Sequence, residues 1–337
     1  HNTKHIKFSN NKISGTNCWS ARNIDIFIAI KNKLAMTSLK EFNKKTVDIS
    51  IKRLIKIAKL SPPNKDFLGI AEGPFKYMEV NDLYDKAIMQ VEHVNIVEES
   101  IEKALNSGAK RTAGLLESSD ASIFLKTSSN VEAKGRGSLI HLSLRALLSK
   151  EASGHLTCTS RTSRKFDYLK NAEEAGLIAK EAKQPKLGKA GKDDIIFKPM
   201  AFANLLSLVG EASSVFAVES GFSFLKDKIN KEIASDFVTF LDDPTIHGGI
   251  GSIRFDGEGY PTKKTALIEN GIFKTYLHNT STAKRYKTKT TGNAGVIAPA
   301  PFNLILEKSD WKTEEMIKEI KRGLIITNLW YTRFKNY

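Results

Sequence analysis

The sequence predicts an α+β fold in two domains, residues 1–190 and 191–337. Three observations carry this reading. Runs with a two-residue apolar period stand apart from segments with one-face helical spacing. The dipeptide Asn270-Gly271 sits between two β-prone runs, as a two-residue turn with positive φ demands. Hairpins and helices do not alternate as strand-helix-strand units, which argues against a parallel sheet.

In order along the chain, DIFIAI (25–30), a short KNK turn and LAMTSL predict a hairpin. Val47, Ile51, Leu54, Ile55 and Ala58 recur on one helical face, and the helix stops at SPPN (61–64), because consecutive prolines cannot continue it. After an irregular stretch rich in Gly, Pro and acidic residues, EESIEKALNSG predicts a second helix closed by Gly108. Then the period changes to two. In SLIHLSLRALL, Ile140, Leu142 and Leu144 point one way and His141, Ser143 and Arg145 the other. GHLTCTSR (154–161) continues in that style, so a sheet with one wet face is expected.

NAEEAGLIAKEA (171–182) predicts a short helix opening on an asparagine. The Lys/Gly-rich QPKLGKAGKDD after it has no periodicity, which places the domain boundary between about Lys183 and Asp194. Beyond it, IIFKP reads as a strand. Phe202, Leu205, Leu206, Val209, Ala212, Ser213 and Phe216 then read as one face of a continuous helix. DFVTFL predicts a strand ending at Asp242-Asp243, and ALIENGIFKTYL the hairpin. DWKTEEMIKEIKRGL predicts a helix capped by Asp310, with Glu314 and Glu315 near its positive end.

Composition narrows the function classes. The 41% hydrophobic and 26% charged residues are those of a soluble globular chain, and no apolar run approaches the ~20 residues a bilayer span needs. The opening residues have no apolar core of a signal peptide, so the expectation is a cytoplasmic protein without membrane partners. Cys18 and Cys158 are far apart and outside any CxxC spacing, which argues against a disulfide scaffold or structural zinc. They read as small buried hydrophobes. The net charge of +15 could attract a phosphate backbone, but its lysines are scattered singly without a nucleic-acid-binding signature. A basic nucleic-acid-binding protein is therefore only an alternative.

From Ser220 to Gly295 the chain presents a Ser-rich SFL turn, a strand ending in Asp-Asp, the glycine loop TIHGGIGS, FDGEG, a hairpin and TGNA, in that order. This block resembles the TldD/PmbA family. The resemblance implies an N-terminal mixed sheet with helices. It also implies a C-terminal, largely antiparallel, barrel-like sheet with helices, shortened at its C-terminal end because the matching family segment runs on beyond NLWYTRFKNY. TldD members of that family resemble zinc peptidases, with a His-Glu-x-x-x-His helix before the block and a later cysteine as third ligand. Neutral imidazoles bind Zn²⁺ while a carboxylate activates the bound water.

Here the matching helix reads LLSLVGEASSVFAVESG. With Glu211 as the motif glutamate, the histidine places hold Gly210 and Val215. With Glu219 aligned to the family's later acidic residue, they hold Glu211 and Phe216. None of the seven histidines precedes a glutamate, and no cysteine follows Cys158. No metal ligand is therefore assigned. The resemblance implies a TldE/PmbA-like, non-catalytic subunit whose zinc-bearing partner is TldD-like, in a heterodimer or alternatively a homodimer handling peptides. The enzyme alternative is a metallopeptidase with substituted ligands drawn from Glu211, Glu219, Asp243 or His247, with Glu211 and Glu219 as its weak catalytic candidates.

Two readings stand for the rest of the block. Asp242, Asp243, Asp256 and Glu258 form either a carboxylate cluster for acid-base or cation chemistry, or strand-end and turn caps. Arg254 is expected to pair with one of them. Gly248 and Gly249 let backbone approach a peptide or another loop closely. His247 reads as an ordinary loop residue, and His141 and His155 as solvated or hydrogen-bonded. Thr291, Gly292 and Asn293 are either a rim that holds a peptide in β-augmentation or a buried turn. Trp330 and Tyr331 are either core or interface residues.

Overall fold

A computed structural model describes residues 1–295, 298–330 and 332. The N-terminal half is built on a five-stranded antiparallel sheet in the order β2-β1-β5-β6-β7. Its strands are β1 (Asn2–Ser9), β2 (Lys12–Ser20), β5 (Arg111–Lys126), β6 (Glu132–Leu147) and β7 (Ser153–Ser160). A hairpin of β3 (Ile24–Ile30) and β4 (Lys33–Leu39) branches off and packs on α1 (Lys44–Leu60), where Leu54 and Ala58 are buried against Ala35. The helix is capped by Asn43, whose side chain accepts from the Thr46 N–H, and it stops at Ser61 before the two prolines.

The register explains the large core. Ile6, Leu116, Leu142 and Cys158 lie directly opposite one another across four strands, on the same face as Ile140 and Leu144. Against that face pack α2 (His93–Asn106) and α3 (Tyr168–Glu181), which bring Val97, Ile101, Ala172, Ala175 and Ala179. Each fully buried Leu or Ile contributes ~1.5–3 kcal/mol of transfer free energy. The opposite face carries His141, Ser143 and Arg145, as the two-residue period predicts.

Past an exposed, irregular stretch at 183–193, the C-terminal half holds β8 (Asp194–Phe197), α4 (Pro199–Ala212), α5 (Val215–Glu219) and β9 (Phe240–Asp242). These are followed by β10 (Thr265–Glu269), β11 (Ile272–Phe273), α6 (Thr280–Arg285), β12 (Leu304–Leu306), α7 (Thr313–Glu319) and β13 (Gly323–Ile326). Its main sheet is four-stranded and antiparallel, β11-β10-β9-β12. Phe240, Leu267, Phe273, Tyr276 and Leu277 form its core with Val215. Among the described residues no helix is long and apolar enough to cross a membrane.

Several expectations are corrected. The C-terminal sheet is open rather than barrel-like among the described residues, and β8 pairs with β13 in parallel. The helix expected to run through Phe216 breaks after Ala212. Ser214 leaves the helical path to bridge Leu277, which turns Phe216 out to solvent at 48% exposure. α3 starts earlier than its asparagine, capped by Asp167, and Asn171 is buried within it. α7 begins after Lys312, whose N–H donates to Glu315, so Asp310 is no cap. Cys18 is exposed on an edge strand, whereas burial pushes the Cys158 thiol up to about 12. Trp330 is largely exposed, and Tyr331 lies outside the described residues.

The Asn270-Gly271 turn forms as expected, with φ of 49° and 77°. A Cβ on Gly271 would also come within 2.3 Å of the Ala234 carbonyl oxygen. Gly271→Ala is therefore expected to lower stability by about 2 kcal/mol. Urea denaturation checks this, and an unchanged midpoint would refute it.

Candidate functional site

The matched block folds into a knot of buried carboxylates tied by the Thr-Gly-Asn-Ala turn. Asp242, fully buried at the end of β9, accepts the Phe302 and Asn303 N–H groups at 2.9 and 2.7 Å on Oδ1. Its Oδ2 accepts Asn293 Nδ2 at 2.6 Å, and Asn293 also donates to the Ala300 carbonyl. Burial raises the Asp242 pKa, opposed by these hydrogen bonds. Asp243 turns the chain instead, its Oδ1 accepting the Thr245 N–H and hydroxyl.

Asp256 is the second anchor. Oδ1 accepts the Glu258 and Tyr260 N–H groups and Oδ2 that of Ala294, so one turn residue reaches each carboxylate. Burial pushes Asp256 up to about 6 against the pull of these donors. Thr291 closes the knot by exchanging hydrogen bonds with the backbone of His278, and Gly292 holds φ of 75° between them. Thr291 and Asn293 are both buried.

The glycine loop lies between the two halves of the chain. Gly248 donates to the Asn81 carbonyl, and His247 Nδ1 accepts the Asn81 N–H at 2.8 Å. Gly249 gives its carbonyl to Arg161. At Gly251 a Cβ would fall 1.7 Å from the Phe302 carbonyl oxygen, so only glycine permits that approach. Arg254 donates to the Lys134 carbonyl at 2.6 Å and pairs with none of the four carboxylates, contrary to expectation. The reason is placement: the folded chain sets the Arg254 guanidinium against the Lys134 carbonyl of β6.

Residues 66–82, part of the stretch expected to be irregular, cross this knot as a strap. Leu68 N–H and the Gly69 carbonyl bond to Ser281 of α6, Tyr77 hydroxyl donates to the Gly259 carbonyl, and Ala71 N–H donates to Glu258 Oε2 at 3.1 Å. Burial, aided by the nearby Asp256 charge, pushes Glu258 up to about 7. Arg285, at the end of α6, grips Glu219 through two 2.8 Å hydrogen bonds and reaches Asp66 at 3.0 Å. His278, pushed down to about 4 by burial and by Arg285, is neutral near pH 7. Sequence reading missed His278, Arg285 and the strap. The strap binds mainly through backbone groups, which leave no residue signature; the Asn279-x-x-Thr282 capping box of α6 was the one legible sign.

A carboxyl with a raised pKa favours its protonated form in the fold. The cost of ionising Glu258 is absent below its unfolded pKa, grows as pH rises from ~4.5 towards 7, and is complete above that. Glu258→Gln, which keeps an acceptor for Ala71, is expected to gain on the parent chain by about 3 kcal/mol between pH 4.5 and pH 8. Urea titrations at both pH values measure that gain, and a difference independent of pH would refute it.

The zinc implied by the family does not fit these residues. Gly210 and Val215 are buried without a donor, Phe216 is an exposed phenyl ring, and Glu211 is exposed on the last turn of α4. Glu219 is committed to Arg285, Asp243 to Thr245 and His247 to Asn81, so the substituted-ligand set is not brought together. Among the described residues no group of three or more His, Cys, Asp or Glu is placed to hold a metal ion.

Residues 190–337 match the family model of the PmbA/TldA metallopeptidase C-terminal domain. A metalloprotease of Methanocaldococcus jannaschii is 38% identical over 168 residues, 48% of this chain and 37% of that protein. A second protein of the same organism is 30% identical over 228 residues, 66% of this chain and 53% of its own length. The chain thus matches between about a third and a half of the length of these relatives. The crystal structure of TldE from Thermococcus kodakarensis superposes with a TM-score of 0.84 over 98% of this chain and 78% of that one. At 22% identity that likeness shows a shared fold.

Proposed function

The chain belongs to the TldD/PmbA family, a metallopeptidase-like family, and from that premise we propose that it serves as a TldE/PmbA-like, metal-free subunit. It would pair with a TldD-like zinc peptidase, or with itself, and shape the chamber in which peptides are held. The observation that carries this reading is the α4–α5 segment. In the segment that the resemblance sets against the zinc-bearing helix of TldD members, the histidine places hold Gly210 and Val215 in one register and Glu211 and Phe216 in the other, with no histidine in either.

In this reading Asp242, Asp243, Gly248, Gly249, Arg254, Asp256, Glu258, Thr291, Gly292 and Asn293 act as the chamber's frame. Their polar atoms are spent on backbone and on one another, which supports a holding role over direct attack on a peptide bond. Metal content by mass spectrometry tests the proposal. The expected result is no stoichiometric zinc in the chain alone and about one zinc per pair after co-expression with a TldD-like partner. Zinc bound one-to-one by the isolated chain, with peptide cleavage, would overturn it.

A further inference from the structure

We infer that the polar face of the N-terminal sheet carries an oxyanion-binding site, built around Arg145 and roofed by the segment after β13. Arg145 and His155 are direct cross-strand partners on β6 and β7. Thr327, Asn328 and Trp330 lie over them and, with Ser153 and Ile178, line a half-open cavity of about 250 Å³. Among the described residues no carboxylate lines it.

The charge of Arg145 has no counterion among the described residues. Arg164, Arg285 and Arg322 each meet an aspartate or glutamate, and Arg161 is wrapped in carbonyls. Arg145 has one weak hydrogen bond, from Nη2 to Ser153 Oγ at 3.2 Å, and the Trp330 ring covers its guanidinium face at 4.5 Å. Its Nε is buried with no partner. A buried N–H left without an acceptor costs ~1–3 kcal/mol, more when the group is charged. An oxyanion in the cavity would meet the guanidinium on the side that lines it and supply the counter-charge that the described chain does not.

The neighbours suit such a ligand. Asn328 Nδ2 donates to His155 Nδ1 at 3.1 Å, which leaves His155 Nε2–H to donate to Ser143 Oγ at 3.0 Å. The imidazole is thus held neutral and oriented, with the hydroxyls of Ser153 and Thr327 at hand as further donors. A planar guanidinium fork stacked under an indole is the geometry that recognises carboxylate or phosphate in a bidentate way. The ligand class is a small molecule or chain terminus bearing one of these oxyanions. This site is separate from the carboxylate knot and does not rest on the proposed subunit role.

The test is Trp330 fluorescence in the full chain carrying Trp19→Phe and Trp311→Phe, titrated with inorganic phosphate and separately with acetate at constant ionic strength. The expected result is a saturable change with at least one probe, weakened about tenfold or more by Arg145→Gln. Asn328→Asp, which sets a carboxylate of the chain's own at the cavity, should weaken it likewise without removing a core side chain. Lys150→Gln, an exposed lysine elsewhere, should leave it unchanged. Saturation by phosphate alone assigns a phosphorylated ligand, and saturation by acetate a carboxylate. No saturable change with either probe, or equal weakening in Lys150→Gln, would overturn the site.

Discussion

Replacing Asp242 with alanine is expected to cost the fold about 4 kcal/mol, because three donors converge on its carboxylate in a place that water does not reach. The backbone N–H groups of Phe302 and Asn303 and the amide of Asn293 would all lose their acceptor at once. The damage would spread along two strand pairs, since Asp242 faces Thr265 of β10 on one side and Leu304 of β12 on the other. Asp242→Asn should cost about half as much. One oxygen still serves Phe302 and Asn303, but the new amide meets the Asn293 amide donor to donor. Urea denaturation of both variants separates a holding role from a chemical one: if Asp242→Ala unfolds at the parent's midpoint, the residue does not hold the knot.

Much of this architecture was legible because its causes are local. The Asn-Gly turn, the proline stop after α1 and the two-residue period of β6 each follow from a few neighbouring side chains, and each forms where expected. What escaped was decided at long range. The apolar spacing from Phe202 to Phe216 is a good helix pattern, yet Ser214 leaves it to bond with Leu277 and Pro299, residues that only the folded chain brings near. Arg254 was matched to the acids beside it in sequence, whereas a β6 carbonyl more than a hundred residues away captured it. In the candidate site the residue types were readable but their use was not. An aspartate that caps a turn and one that activates water look the same in sequence, and the difference lies in how many N–H groups surround it.

The same logic makes Arg161 the main clamp between the N-terminal sheet and the glycine loop. The side chain leaves the end of β7 and donates through Nε and Nη2 to the carbonyls of Gly249, Ile250 and Ser252, with a long contact from Nη1 to Ser138. Burial lowers its pKa, so the cation is held at a desolvation cost that these carbonyls offset. Arg161→Met keeps the length and apolar stem but strips every donor, and is expected to destabilise the chain by about 3–4 kcal/mol. Arg161→Lys retains the charge without the planar fork and should recover less than about half of that loss. Limited proteolysis gives a local readout beside the denaturation midpoint. With the clamp gone, cleavage within residues 245–252 should accelerate before global unfolding, since the loop's carbonyls would lose the partner that fixes them. Equal cleavage rates in the parent chain and Arg161→Met would mean that Gly248 and His247, through their bonds to Asn81, suffice to hold the loop in place.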